Sequence, residues 1–270
     1  VAQGRDAEQA RKFFGSLVWG DVTLEASYGR RQRDIPNGAY ETVFNEPPNF
    51  AEDERAFVEA RYRHETEGAW LLTARTYFDH YQFEAKAPYE PAVPTDPLVI
   101  NHDLGRAQVV GAELQAVKQF REAHCLTLGA EWNHTIKVHQ SNYDESPSAL
   151  YSDVTTDGDN LGVYAQDEFK LSRQVTVNAG VRYDWYSTFG DTLNPRLGVI
   201  YCPWTQTTFK ALYGQAFRAP NAYEFDYVAP GYLANHDLEP EHIRTGELVW
   251  EQGLGRNYRM TVSGFNTEMC

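Results

Sequence analysis

The stretch VTVNAGVRYDW, residues 175–185, alternates without a break. Val175, Val177, Ala179, Val181, Tyr183 and Trp185 fall on one side, and Thr176, Asn178, Gly180, Arg182 and Asp184 on the other. Successive side chains of an extended chain point to opposite faces, so this segment reads as a strand with one apolar and one polar face. The same alternation, less strict, recurs in VTLEASY (22–28), FVEARYRHE (57–65), WLLTARTYFDHYQF (70–83), AQVVGAELQAVKQF (107–120) and CLTLGAEWNHTIKVH (125–139). It continues through NLGVYAQDEFKL, PRLGVIYC, TTFKALYGQAF, TGELVWEQ and YRMTVSGFNTE. About twelve strands are predicted, with no helix. Several of them reach about ten residues, more than the usual five or six of globular sheets and close to the span of a tilted membrane strand.

Composition narrows the choice. The chain of 270 residues is 14% aromatic yet has a mean hydropathy of -0.57. A soluble β-sandwich has this profile, and so does a membrane β-barrel, whose apolar residues are diluted by alternation. No run approaches the roughly 20 apolar residues of a membrane-spanning helix. A net charge of -14 excludes non-specific nucleic-acid binding, which needs Lys and Arg to neutralise phosphates. Cys125, Cys202 and Cys270 are too few and scattered for a disulfide framework or a zinc cluster, and read as small buried or lipid-facing thiols. The opening VAQGRDAEQARKFF is charged from its fifth residue, so no signal peptide is expected at Val1.

The connections take turns between two kinds. Short links fall at 20–21, 66–69, 121–124, 172–174, 203–206 and 253–257, and longer ones at 31–54, 86–106, 140–159, 188–193 and 219–240. An up-and-down antiparallel barrel in an outer membrane has this form, with short turns at one end and long loops at the other. Aromatic placement agrees. Trp19, Trp70, Phe120, Phe169, Trp204, Trp250 and Tyr258 lie near the short turns, and Tyr28, Tyr81, Phe83, Trp185 and Tyr186 toward the long loops, as two interfacial girdles would. Arg75, Asp79, Glu113, Glu131, Arg182 and Asp184 are assigned to the lumen, because charges facing lipid are costly.

Four segments together resemble the barrel of the TonB-dependent outer-membrane receptors: NLGVYAQDEFKLSRQVTVNAGVRYDWYS (160–187), NPRLGVIYCPWTQTTFKALYGQAFRAP (194–220), LEPEHIRTGELVWEQGL (238–254) and QRDIPNGAYETVFNEPPNFAEDERAFVEARYRHE (32–65). The fold expected is all-β, an incomplete antiparallel up-and-down transmembrane barrel of about 12 strands. Family members carry a plug domain inside about 22 strands. Residues 1–270 are therefore expected to be a partial receptor barrel without plug, signal peptide or C-terminal strands. The resemblance implies uptake of a scarce, bulky nutrient from the bacterial surface, most often a ferric siderophore, otherwise haem, cobalamin or a saccharide. It further implies lipid and lipopolysaccharide around the barrel, a plug within it, and an inner-membrane energy-coupling protein.

GQAFRAPNAYEFDYVAPGYLANHDLEPE (214–241) is the candidate ligand-binding segment. Pro220 cannot donate to a ladder and restricts Ala219, so the strand ends there. Arg218, Tyr223, Phe225, Tyr227, Tyr232 and His236 then form a loop rim for aromatic stacking and charge complementarity, or else Arg218 pairs with a neighbouring carboxylate and the aromatics form a loop core. FRAP (217–220) followed by NHDL (235–238) also resembles the haem-receptor pattern, although His236 lies inside the second box. DVTTDGDN (153–160) reads as an acidic turn with a weaker calcium alternative, and no metal spacing or cofactor is expected. No catalytic residue is assigned: there is no G-x-S-x-G elbow and no evident Ser, His and acid set. Two other classes stay open, a complete small barrel acting as a pore or membrane enzyme, and a soluble β-rich binding module.

Overall fold

The computed structural model describes residues 4–121, 123–229 and 231–270; the start of the chain, where the absence of a leader was read, lies partly outside the described residues. Twelve strands follow one another: β1 (Glu8–Trp19), β2 (Val22–Asp34), β3 (Phe50–Glu65), β4 (Trp70–Tyr89), β5 (Val99–Phe120), β6 (His124–Asp144), β7 (Ala149–Lys170), β8 (Val175–Tyr186), β9 (Gly190–Trp204), β10 (Thr207–Arg218), β11 (Glu241–Leu254) and β12 (Tyr258–Met269). Each pairs antiparallel with its neighbours in chain order, in one sheet running from β1 to β12. Among the described residues β1 and β12 do not pair with each other, so the sheet is open. A helix interrupts this pattern, α1 (Ala222–Asp226), together with a 3-10 turn at Ala39–Glu41. Five residues are too few to show a helical period, which is why alternation alone predicted none. The signal that was there is the box Asn221 to Glu224: the Asn221 side chain accepts from the Glu224 N–H at 3.0 Å, and the Glu224 carboxylate accepts from the Asn221 N–H at 3.0 Å.

The sheet is built inside out. Along β8 the apolar row Ala179, Val181, Tyr183 and Trp185 is exposed, while Asp184 of the polar row is only 3% exposed. Of the described large hydrophobic side chains Tyr227 alone is buried, whereas Glu59, Asn142, Asp144, Ser152 and Asp184 all are. In water this would leave a wide apolar surface unpaid for by any core; in a bilayer it is the face that lipid covers.

Register carries the polar face across the sheet. Glu59, Tyr77 and Gly111 lie opposite one another on β3, β4 and β5, next to Arg75 paired with Glu113, Glu113 with Glu131, and Gly162 with Asp184. On that face Arg75 reaches Glu59 at 2.7 Å, Arg55 reaches Asp79 at 2.7 Å, and Arg182 joins Glu131 at 3.0 Å to Asp184 at 2.7 Å. Arg182 can cross because Gly162 stands beneath it: a Cβ there would overlap the guanidinium. Tyr164 likewise covers Gly129, where any side chain would collide with its ring.

The lower aromatic girdle faces outward. Trp70 and Phe120 meet edge to face at 6.0 Å under the Lys118 ammonium, and Tyr201, Phe209 and Trp250 stack in a row. The upper girdle divides. Tyr28 and Trp185 share the apolar face, but Tyr81 and Phe83 alternate in phase with Asp79 and so face inward, as Tyr186 does with Asp184.

The strands β4 to β7 are longer than alternation predicted, at 20, 22, 21 and 22 residues. At about 3.3 Å per residue and a tilt near 40°, 22 residues rise roughly 55 Å, twice the apolar band of about 25 Å. The upper halves therefore stand clear of the membrane. The predicted loops 86–106 and 140–159 shrink accordingly to 90–98 and 145–148. DVTTDGDN is strand within β7, not a turn: Asp153 faces His139 at 2.8 Å and Asp159 faces His134 at 3.0 Å, and no group of metal-holding side chains occurs among the described residues.

Candidate functional site

Between β10 and β11 the chain leaves the sheet and folds back over its inward face. Arg218 ends β10, with Pro220 two residues on. Its guanidinium grips Glu241 through two bonds, Nε to Oε2 at 3.0 Å and Nη2 to Oε1 at 2.7 Å, and Glu224 of α1 through Nη1 at 3.0 and 3.1 Å. A planar fork suits this double engagement, since it presents several N–H donors in fixed directions. The bond from Arg218, with the N–H of Asn221, holds the Glu224 carboxyl below its ordinary pKa. Arg218 thus serves as a clamp on the loop, and its donors are directed at protein carboxylates.

The loop aromatics separate into two groups. Tyr223, Tyr227 and Tyr232 form one cluster: the first two rings stack at 4.3 Å, and Tyr232 stands edge-on to both at 6.0 and 6.1 Å. Tyr227, 6% exposed, inserts its hydroxyl between two strands far away in sequence. It donates to Asp103 Oδ1 on β5 at 2.9 Å and accepts from Asn142 Nδ2 on β6 at 2.9 Å. Burial, and then the Asp103 charge, push the Tyr227 phenol above its ordinary pKa, so it stays a donor. Asn101 extends the network, its Nδ2 donating to Asn142 Oδ1 at 2.9 Å and Asp144 Oδ1 at 2.8 Å, and Tyr151 donates to Asp144 from the far side. Phe225 and His236 pack away from this cluster, tilted against each other at 6.4 Å, with His236 Nδ1 3.6 Å from Asp226 Oδ1.

Above the network lies a cavity of about 1060 Å³. Its walls are Tyr223, Tyr227 and Tyr232 from the loop, Phe83 and Tyr89 from β4, and Phe50 from β3, with Tyr40 and Tyr151 at its sides. Sequence reasoning found the loop aromatics but missed Asp103, Asn142, Asp144 and Tyr151. Asp103 shares the parity of the inward Glu113 on β5, a readable signal for its face, whereas Asn142 and Asp144 do not share that of Glu131, because a register shift between Thr135 and Val138 reverses the parity of β6. The loop that lands on them, 124 and 85 residues away, was not readable.

An antiparallel up-and-down sheet with its apolar side chains outside, its charges inside and an aromatic mouth at the long-loop end is the wall of an outer-membrane β-barrel. The family model "TonB dependent receptor-like, beta-barrel" matches residues 4–269, and the chain belongs to that family. Among curated proteins it is 26% identical over 117 residues to a ferric enterobactin receptor of Pseudomonas aeruginosa, covering 40% of this chain and 15% of that protein. It is 28% identical over 142 residues to a probable TonB-dependent siderophore receptor of Acinetobacter baumannii, 48% of this chain and 18% of that one. The fold superposes on a Pseudomonas aeruginosa ferric enterobactin receptor mutant in complex with enterobactin with a TM-score of 0.71 at 18% identity, covering 100% of this chain and 44% of that one. For the unliganded ferric citrate transporter the TM-score is 0.72 at 14% identity, covering 99% and 44%. The chain therefore spans less than half of each of these proteins.

Proposed function

We propose that this chain forms one wall and part of the mouth of a receptor that binds a ferric siderophore at the cell surface and imports it. The observation that carries this reading is the cavity at the mouth, large enough for a bulky chelate and lined by aromatic rings, with a small number of polar groups to orient the guest. Its place supports the assignment, since it stands on the halves of β4 to β7 that rise above the lipid-covered band. Relatives described as ferric enterobactin and siderophore receptors agree with it. On this reading residues 1–270 are a part of a larger barrel, surrounded by lipid and lipopolysaccharide, whose remaining strands and plug complete the lumen. An inner-membrane energy-coupling protein acts on the plug to open the path. The chain's own work is binding, trapping and passage, with no covalent step and no catalytic residue. The rim role first read for the loop falls on Tyr223, Tyr227 and Tyr232, with Arg218 holding the loop and Phe225 and His236 supporting it.

The test uses the intact receptor. Tyr223→Ala with Tyr232→Ala removes two rings, each contributing about 0.5–1.5 kcal/mol through stacking, so affinity for a ferric chelate falls by roughly tenfold. Intrinsic fluorescence quenching on titration reads it, alongside iron-limited growth. Unchanged affinity in the double variant would place the guest elsewhere.

A further inference from the structure

The charge of the mouth bears on which siderophore it takes, given the receptor reading above. Asp103 and Asp144 stand on the inward faces of β5 and β6 and line the cavity, and Glu41 and Glu90 line its loop side. Among the described lining residues Lys86 is the only basic one. It alternates out of phase with Ala85 and Ala87, and its Nζ lies 3.2 Å from Glu145 Oε1. The adjoining groove, which shares Ile35 and Ala51, holds Arg31 and Arg33 but also Asp6, Asp34 and Asp53, and Arg31 is bound to Glu8 at 2.7 Å.

A second, independent observation concerns hydrogen bonding. Ser152 and Gln140 are 4% and 8% exposed, and neither Ser152 Oγ nor Gln140 Oε1 has a partner. Ser152 lies directly across from Asn142 in the β6–β7 pairing, and Gln140 is two residues along β6 from it, so both belong to the inward wall on which the cavity stands. Gln140 Oε1 can only accept, and the carboxylates of Asp103 and Asp144 serve as acceptors for Tyr227, Asn101 and Tyr151. Ser152 Oγ and Gln140 Oε1 thus have no protein partner, and among the described lining residues the acids Glu41, Glu90, Asp103 and Asp144 outnumber the one lysine.

We propose that this mouth selects a ferric chelate of neutral or positive overall charge that offers N–H or ammonium donors, of the tris-hydroxamate type, over a trianionic ferric tris-catecholate. A trianion brought against Asp103 and Asp144 in a partly dehydrated cavity is repelled. An ammonium or amide donor meets the opposite situation.

Titration of the intact receptor by intrinsic fluorescence, with three ferric chelates as probes, decides it: a tris-catecholate, a neutral tris-hydroxamate and a tris-hydroxamate bearing a free ammonium. Both hydroxamates bind about tenfold or more tighter than the catecholate, and the affinity of the ammonium chelate falls as salt rises. Asp103→Asn combined with Asp144→Asn keeps acceptor oxygens for Tyr227 and Tyr151 while removing charge, and it narrows the gap to about threefold or less. Heat-modified gel mobility verifies that this variant folds. Tighter binding of the catecholate by the unaltered receptor overturns the inference and leaves the receptor reading standing, as does a gap that the double variant does not narrow. Binding of none of the three chelates overturns both.

Discussion

Arg218 divides one guanidinium between Glu241 and Glu224, and this sets how the loop responds to acid. The Glu224 pKa is depressed in the folded loop, first by Arg218 and then by the Asn221 N–H. A depressed carboxylate contributes stability that is present above its unfolded pKa of about 4.3 and is lost as pH falls through the folded value. The loop clamp is therefore at full strength at neutral pH and loosens only below the ordinary carboxylate range. Amide exchange of residues 221–227, corrected for intrinsic rates, stays slow from pH 7 down to that range and rises below it. In Glu224→Gln the neutral-pH exchange is already fast and the acid step is gone. The pair is exposed, so the effect is confined to the loop. From sequence, Arg218 was legible as a strand-ending corner residue; its two partners were not, because Glu241 belongs to the returning strand and Glu224 to a helix too short to announce itself.

At the scale of elements, β8 shows why the fold was legible and where legibility stopped. Alternation in residues 175–185 identified a strand with one apolar and one polar face, and the turn-about of short and long links with the aromatics near them then pointed to a membrane. Lipid on one side and a polar lumen on the other force a period of two. That pressure ends where lipid ends. The upper halves of β5, β6 and β7 have water on both sides, so DVTTDGDN carries no apolar row and reads as a turn although its backbone pairs with β6 through Asp153 and Asp159. The upper aromatic girdle was misread for a related reason: position along a strand was visible, but Tyr81, Phe83 and Tyr186 follow the inward parity. The face assignment makes a prediction. Val181→Arg places a charge on the lipid face near mid-strand and lowers stability by about 2–4 kcal/mol, whereas Asn178→Arg on the inward face changes it by well under half that amount. Urea unfolding of the intact receptor in lipid vesicles measures both.

For the whole molecule, the open order β1 to β12 leaves one edge of each terminal strand without a partner among the described residues. Unpaired edges template association with other chains. Residues 1–270 refolded alone in detergent therefore aggregate and give no faster-migrating unboiled band on a denaturing gel, while the intact receptor does; a compact heat-modifiable band from the isolated chain would mean that these strands close by themselves. The wall is also uneven in height. β4 to β7 stand far above the apolar band, and β8 to β12, at 12 to 15 residues, stop near its upper border. Seen from outside the cell, this makes a crest with a slope beside it. The loop carrying the tyrosines leaves the low side after β10 and lands near the top of the crest, on Asp103 and Asn142, beside the proline-rich tip holding Pro91, Pro94 and Pro97. That tip is rooted in Tyr89, Glu90 and Val99 of the cavity wall, so length or proline changes there reshape the rim of the cavity as well as the outermost surface.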